Sequence, residues 1–542
     1  MTSLPNDGAS RSTKPARRRV GSTEKTAPWW RRGLTILGLA ALAFTALGSW
    51  ALSSAVGSSP DADYHLTSAW CESFAGNSCE VNAEGNGVLV PEALVEGIAC
   101  VAQRPQQSAG CQPLMDGTDP RDIYYGQNNV IRNLYPSGYY AVMNLFVGQN
   151  IEQSVLGMRI FNAGLFVVVA LVVWLALPAR LRTTYLWMFA LTMVPLGSFI
   201  VASANPSGWA VIAVGSAWIV FLGFLESEGA RSYLLAALYL GLVVLGANAR
   251  IDSLLYLALT SALAIGLSQT STKRIVSKIW VPAVAGLFIA AWLIIVRGNF
   301  GTLFTGFGSR KDLYPDPLPW TNLYGQTEDE GFDWSLLWAN TWDIPGLWAG
   351  VFGGWPWGAL GWLDTIMPQV VPIGVLTVVL LVAYLAMRDG NWRKRATVVL
   401  MVLLMWAIPL YLLQLGGFRA GEQFQPRYLL PLVIVVIGFL LLTRDGQPLL
   451  KDRFGRTAAV VALSLANAIA LHTNFRRYIT GMNYQDLNLN TPREWWWFSL
   501  PDWVSPNLVW VVGSLAFAAV IWVILYRIPT LTPATERVAA TR

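Results

Sequence analysis

Stretch after stretch of this chain runs for about 17 to 24 residues with almost no charge, close to the roughly 20 that an α-helix needs to cross the hydrocarbon of a bilayer. In lipid no water is at hand for backbone N–H and C=O groups, so a spanning segment must pair them within a helix or a closed barrel. Barrel strands would be about half as long and would alternate apolar with polar residues, which these runs do not. Of the 542 residues, 54% are hydrophobic and 13% charged, whereas soluble domains carry about 25% charged residues. A soluble core is excluded, and the fold class follows: an all-α polytopic membrane protein. The runs fall near 33–56, 155–177, 184–202, 207–225, 232–248, 252–269, 279–296, 369–387, 396–415, 428–443, 457–475 and 508–526, about twelve transmembrane helices in all.

A formal net charge of +6 invites a nucleic-acid reading, but the basic residues lie in short blocks between the runs. With the N-terminus inside, the loops placed in the cytoplasm carry Arg180 and Arg182; Lys273, Arg274 and Lys278; Arg388, Arg393, Lys394 and Arg395; and Arg444, Lys451, Arg453 and Arg456. This is the positive-inside distribution, and it puts both termini in the cytoplasm of a multi-pass plasma-membrane protein. Residues 1–32, with Arg17, Arg18 and Arg19 together, read as a disordered basic cytoplasmic tail, 33–527 as the transmembrane domain and 528–542 as a second cytoplasmic tail. The first run is too long for the apolar part of a signal peptide and is expected to remain as an anchor.

The loops placed outside differ in kind. Residues 57–153 and 297–368 are long, 476–507 is moderate, and all are rich in Trp, Tyr, Asn, Gly and Pro. All four cysteines, Cys71, Cys79, Cys100 and Cys111, lie in the first of them, as an oxidising exterior allows. Pairing neighbours, Cys71 with Cys79 and Cys100 with Cys111, would close two small loops, although four cysteines permit three connectivities. Their spacings do not suit a CxxC metal site. Residues 346–366, broken by Gly353, Gly354, Pro356 and Gly361, are expected to form a re-entrant or interfacial segment, because irregular backbone at membrane depth must line a cavity.

The segment Pro60-Asp61-Ala62-Asp63-Tyr64-His65 follows the first run directly and stands two carboxylates and an imidazole at the outer face. Such a cluster can take a proton from a hydroxyl or hold a divalent ion. It can also be a solvated loop whose Asp caps a helix, and both readings are open. Arg159 and Asn162, inside the second run, share a helical face. An arginine there faces the bundle interior or a water-filled cavity, where a planar guanidinium suits a phosphate, or it snorkels to the interface. Arg427 and Tyr428, in Gln425-Pro426-Arg427-Tyr428-Leu429-Leu430-Pro431, stand at the mouth of another run and are open to the same pair of readings. Arg250 and Asp252 are close enough in sequence to pair at a short outer turn. The 26 tryptophans belong mostly to interfacial belts, though an aromatic face can also stack on a sugar.

The segment Gly361-Trp362-Leu363-Asp364-Thr365-Ile366-Met367-Pro368 resembles the Gly-Trp-Leu-Asp-Thr-x-x-Pro signature of the DUF2142 predicted membrane proteins. Pro60 to His65 is similar to that family's Pro-Asp-Glu-x-x-His after the first span, Arg159 with Asn162 to its Arg-x-x-Asn helix, and Arg427 to Pro431 to its Arg-Tyr-Leu-Leu-Pro. The order along the chain also agrees, from about Gly33 to Phe475, with the weakest likeness in the first large loop. Where the family has Glu this chain has Ala62, with Asp63 beside it, so the acidic role falls to Asp61 or moves to Asp63. The resemblance implies the GT-C superfamily, integral membrane glycosyltransferases that use polyprenyl-phosphate-linked sugars on the outer side. It implies a GT-C-like helical bundle with large extracytoplasmic loops and an acidic catalytic residue in the first of them.

The expected function is transfer of a sugar from a polyprenyl phosphate to a cell-envelope glycan or glycolipid acceptor. Asp61 or Asp63 would activate the acceptor hydroxyl, and Arg159 and Arg427 would steady the departing phosphate. His65, Asn162, Arg250, Asp252, Trp362, Asp364 and Tyr428 complete the expected substrate site. A divalent cation, Mg2+ or Mn2+, on Asp61, Asp63 and His65 is compatible with this but not required. Two rivals stand beside it: a transporter or flippase of a lipid-linked saccharide, and a non-catalytic envelope assembly protein. No internal repeat or matching pair of broken helices suggests the inverted halves of a transporter.

Overall fold

The structure, a computed structural model, describes residues 29–118, 121–295, 332–388 and 390–527. Most of the tail expected at 1–32, all of that at 528–542, and residues 297–331 of the second long loop lie outside the described residues. The described chain is mostly helical, with three two-stranded antiparallel sheets.

Nine helices among the described residues are long and apolar enough to cross a membrane. Six of them, Gly33–Leu52, Ile151–Ala176, Val370–Arg388, Trp392–Gly416, Arg453–Ile479 and Pro506–Tyr526, bury only 28% to 39% of their apolar stretch. Most of each apolar stretch is thus left on the outside of the protein, as suits contact with lipid. At the centre, Ser207–Glu226 is buried throughout its apolar stretch, and Ala179–Val201 nearly so. The ninth, Gly229–Ala249, lies between these extremes, half buried. The other three expected runs form shorter apolar helices, Ile251–Leu267, Trp280–Ile295 and Pro426–Leu441. Every residue of Pro426–Leu441 is buried, so this helix, about 24 Å long at 1.5 Å per residue, is sheltered by protein along its whole length.

Ala179–Val201 is not regular. After Ala179–Thr192 the backbone widens into a π-helical turn at Met193–Gly197, where Val194 leaves helical dihedrals, and resumes at Ser198–Val201. Pro195, which has no N–H to donate, sits in this break.

The segments between helices gather at two ends. At one, the cysteine-bearing segment packs with the chain before and after Trp362 and with residues 476–507: Trp362 Nε1 donates to Gly57 O at 2.8 Å, Arg477 Nη1 to Gln107 O at 2.7 Å, and Ser499 Oγ to Glu152 Oε2 at 2.9 Å. This end is folded rather than looped. It holds the helices Ala62–Cys71 and Glu92–Val101, a ladder of Val88–Pro91 with Asp122–Tyr125, and the disulfides Cys71–Cys79 and Cys100–Cys111. The irregular segment expected at 346–366 is helical to Gly350, as the end of Trp334–Gly350, and then turns into a hairpin of Ala359–Leu360 with Thr365–Ile366. At the opposite end lie the short basic connections, tied by Arg180 to Glu226 at 2.6 Å and by Lys278 Nζ to Ser232 Oγ at 2.9 Å.

Candidate functional site

The first helix, Trp29–Leu52, ends nine residues before Asp61, and the link between them is held by side chains from distant parts of the chain. Arg159 reaches from Ile151–Ala176 to four oxygens: Nη1 donates to Ala51 O at 3.1 Å and Ser54 O at 2.5 Å, Nη2 to Ala55 O at 2.6 Å and Ser58 Oγ at 3.1 Å. Ala51 lies in the last turn of Trp29–Leu52 and Ser54 and Ala55 just beyond it, where carbonyls lack intrahelical donors. Asn474 Nδ2 donates to Ser53 Oγ at 2.7 Å and Ser54 Oγ at 2.8 Å, and Asn205 Nδ2 to Pro60 O at 2.9 Å. Gly57 has φ +75°, and a Cβ there would stand 2.5 Å from the Ile98 side chain, so only glycine fits the turn.

This scaffold delivers Asp61 in the left-handed region, φ 54°, at the start of Ala62–Cys71, where its side chain caps nothing. The carboxylate goes to Arg427 instead: Nη2 donates to Oδ2 at 2.5 Å. Asp61 is 41% exposed along its side chain and Arg427 only 2%. Burial works to raise the Asp61 pKa, but the Arg427 guanidinium, with Arg250 beyond it, outweighs burial and holds the carboxyl below its ordinary value. Asp61 is therefore an open-sided carboxylate, ionised at neutral pH, on the rim of a buried cation.

Arg427 Nη2 also donates to Tyr428 Oη at 2.8 Å, while Nε and Nη1, both buried, find no partner among the described residues. Gln425 Oε1 is in the same condition. Arg427 and Gln425 line one small cleft with Pro60, Gly361 and Leu363. Buried donors on a charged group are costly to leave unpaired, so this cleft presents binding capacity that the protein itself does not use.

Arg250 supplies a second guanidinium. It pairs with Asp252, Nε to Oδ1 and Nη2 to Oδ2 both at 2.9 Å, as their spacing allowed. Its guanidinium carbon lies 4.4 Å from the centre of the Tyr428 ring, and that of Arg427 lies 4.9 Å from the same ring. Asp252 balances Arg250, and Asp61 balances Arg427 only in part because it faces outward.

The rest of the acidic segment turns away. Asp63 bonds Tyr125, and its pKa is raised by burial and then by the charge of Asp61. His65 is buried with Nδ1 2.8 Å from Tyr140 Oη, and burial pushes its pKa down to about 3, so the ring is neutral. The three therefore do not converge as the metal set expected from sequence, and among the described residues no group of three His, Cys, Asp or Glu side chains is placed to hold an ion. The physical reason is local: Asp61 precedes Ala62–Cys71 in the left-handed region, so its side chain leaves the helical row on which His65, four residues on, would lie beside it, and Asp63, two residues on, stands on another side.

Arg159 and Arg427, expected about one phosphate, have different surroundings, although Arg159 Nε too is buried without a partner among the described residues. Arg159 serves carbonyls of the link and lies over Trp497 at 5.6 Å, and Arg250 takes the place beside Arg427. Asn162 is fully engaged, donating to Ser203 O at 2.9 Å and accepting from Trp209 Nε1 at 3.0 Å. Trp362 donates its indole N–H to Gly57 O. Asp364 sits in the turn of the Ala359–Ile366 hairpin after Gly361, φ +63°, and Leu363, φ 61°. Its Oδ2 accepts from Arg477 Nη2 at 2.8 Å, with the two side chains 6% and 0% exposed, and its Oδ1 accepts from Thr365 at 3.1 Å. Arg477 was not singled out from sequence. Its signal was there: Arg476 and Arg477 together stand at the end of a span where the positive-inside pattern expects none.

A family model described as a predicted membrane protein, DUF2142, matches residues 44–436. The matched stretch contains the acidic segment, Arg159, Arg250, the Gly-Trp-Leu-Asp-Thr turn and Arg427, and it covers well over half of the chain. No curated protein matches the chain. The chain belongs to the DUF2142 family.

Proposed function

We propose that this member of the DUF2142 family is a membrane glycosyltransferase of GT-C type, which moves a sugar from a polyprenyl-phosphate donor to an envelope glycan or glycolipid. All twelve apolar helices cross the plasma membrane in this reading, with both termini in the cytoplasm and the cysteine-bearing end outside. The observation that carries it is the contact of Asp61 with Arg427: an ionised, half-exposed carboxylate against a buried guanidinium whose Nε and Nη1 are unpaired.

The chemistry follows from that pair. A donor phosphate, for which the cleft of about 10 Å3 must widen, takes the idle N–H groups of Arg427, with Arg250 beside it as a second positive charge. Planar guanidinium groups favour such anions, and they stabilise the charge that grows as the phosphate leaves. The same event weakens the hold of Arg427 on Asp61 and brings a negative charge near it, and both effects raise the carboxylate's basicity. Asp61 then removes the proton of the acceptor hydroxyl, the acceptor oxygen bonds to the anomeric carbon, and the bond from that carbon to the phosphate oxygen breaks. The lipid phosphate keeps the electron pair. Asp63, turned to Tyr125, takes no direct part.

The test is sugar transfer in membranes supplied with a polyprenyl-phosphate sugar, for Asp61→Asn, Asp63→Asn and the double variant, each checked for intact folding by size-exclusion elution. A general base contributes about 10²–10⁴-fold, so Asp61→Asn should lose at least about a hundredfold and Asp63→Asn less than tenfold. Wild-type transfer by the double variant would end the catalytic reading. Movement of the lipid across vesicles without a new glycosidic bond would favour the transporter, and envelope assembly unaffected by Asp61→Asn the non-catalytic assembly role.

A further inference from the structure

The end of the bundle opposite Asp61 contains a cavity of about 1060 Å3. Its walls come from the ends of Ile251–Leu267, Val370–Arg388 and Pro426–Leu441 and from the start of Trp392–Gly416. Among the described residues, five cations line it, Arg180, Arg393, Lys394, Arg444 and Lys451, against one carboxylate, Asp445. Arg180 is balanced by Glu226, just outside, at 2.6 Å, and Lys394 is held by Leu442 O at 2.9 Å. Arg393, Arg444 and Lys451 remain as an exposed positive rim against which the described lining sets only Asp445.

We propose that this cavity is a binding site for a phosphate-bearing anion, with the headgroup of an anionic membrane lipid as its source. Gathering like charges around one cavity is unfavourable unless an anion shares it, and its size suits a headgroup rather than a bare ion. Leu267, Ala386, Leu442 and Leu449 stand beside the cations, so the walls change from apolar to charged at the ends of the helices, as a lipid does between chain and headgroup. The site shares the buried helix Pro426–Leu441 with the Arg427 cleft: Arg427 stands at its first turn and Leu442 just past its last. It is independent of sugar transfer, and its test reads binding alone.

The experiment uses the full chain in nanodiscs of phosphatidylglycerol or phosphatidylcholine, and in detergent with inorganic phosphate, reading thermal midpoint and lipid retained in native mass spectrometry. Wild type should be stabilised by phosphatidylglycerol and retain it. Arg444→Gln/Lys451→Gln should retain at least tenfold less, whereas Lys273→Gln/Arg231→Gln, with equal charge removed outside the cavity, should behave as wild type. Equal stabilisation by millimolar inorganic phosphate in lipid-free detergent would keep the site and assign it to a soluble phosphate compound. Equal loss in both double variants, or in neither, would overturn the proposal.

Discussion

Asp364, the acid of the Gly-Trp-Leu-Asp-Thr turn, should prove to be a structural latch rather than a catalytic group, and the geometry says how strong. Its carboxylate is almost fully buried against Arg477, which also donates to Val101 O and Gln107 O, each at 2.7 Å. One pair thus ties the Thr365 turn, the Glu92–Val101 helix and the end of Arg453–Ile479 together. Removing one member of a buried pair leaves the other charge uncompensated, at roughly 3–5 kcal/mol. Asp364→Ala should lose about that much stability. Asp364→Asn keeps the shape and an oxygen but gives up a charge-assisted bond, and should lose roughly 1.5–3 kcal/mol. The partly exposed pair Arg419–Asp343, at 2.8 Å with side chains 32% and 35% exposed, is the comparison: Asp343→Asn should lose no more than about 1 kcal/mol. Denaturant titration in mixed micelles measures the order, and transfer per folded molecule should be nearly unchanged in Asp364→Asn. A variant of Asp364 that folds as stably as wild type yet has no activity would refute the latch and return Asp364 to the reaction.

Glu72 is buried beside Asn129, which donates to it at 2.6 Å, and burial pushes its pKa up to about 7 from an ordinary 4.5. A carboxyl raised in the native state supports folding fully below about pH 4.5 and loses that support as pH rises through about 7; at 1.36 kcal/mol per unit the change is about 3 kcal/mol, and stability should fall from pH 5 to 8 in wild type but not through this window in Glu72→Gln. Arg159→Lys cannot reach four oxygens from one ammonium, so it should destabilise by roughly 2–4 kcal/mol while leaving the donor KM unchanged; a tenfold rise in KM at unchanged stability would restore Arg159 to the phosphate site.

Much of this architecture was legible from one dimension because lipid leaves the chain few choices. A run long and apolar enough to cross a bilayer must be helical, and each expected run is an apolar helix in the structure, nine of them of spanning length. Adjacent cysteines in a short folded segment pair with each other, as Cys71 with Cys79 and Cys100 with Cys111 do. Arg250 with Asp252 was equally local. The Pro60 to His65 segment and Arg427 were visible as chemistry without a partner.

Partnership across hundreds of residues was not legible, because it depends on which helix ends meet. Arg159 and Arg427 look alike in sequence, each a lone arginine at an apolar run. Folding gives Arg159 the carbonyls of Ala51, Ser54 and Ala55, and leaves Arg427 facing Asp61 with donors to spare. Asp61, Asp63 and His65 read as one cluster, yet the left-handed backbone at Asp61 and the packing around the helix send them to Arg427, Tyr125 and Tyr140. Hydropathy along the chain dictates the solvent this protein lives in, the helices that solvent requires and the inventory of charges that must be hidden or used. Tertiary structure alone decided which charges are hidden and which are offered, since a buried guanidinium is defined by the oxygens that reach it, and those come from parts of the chain that only packing brings near.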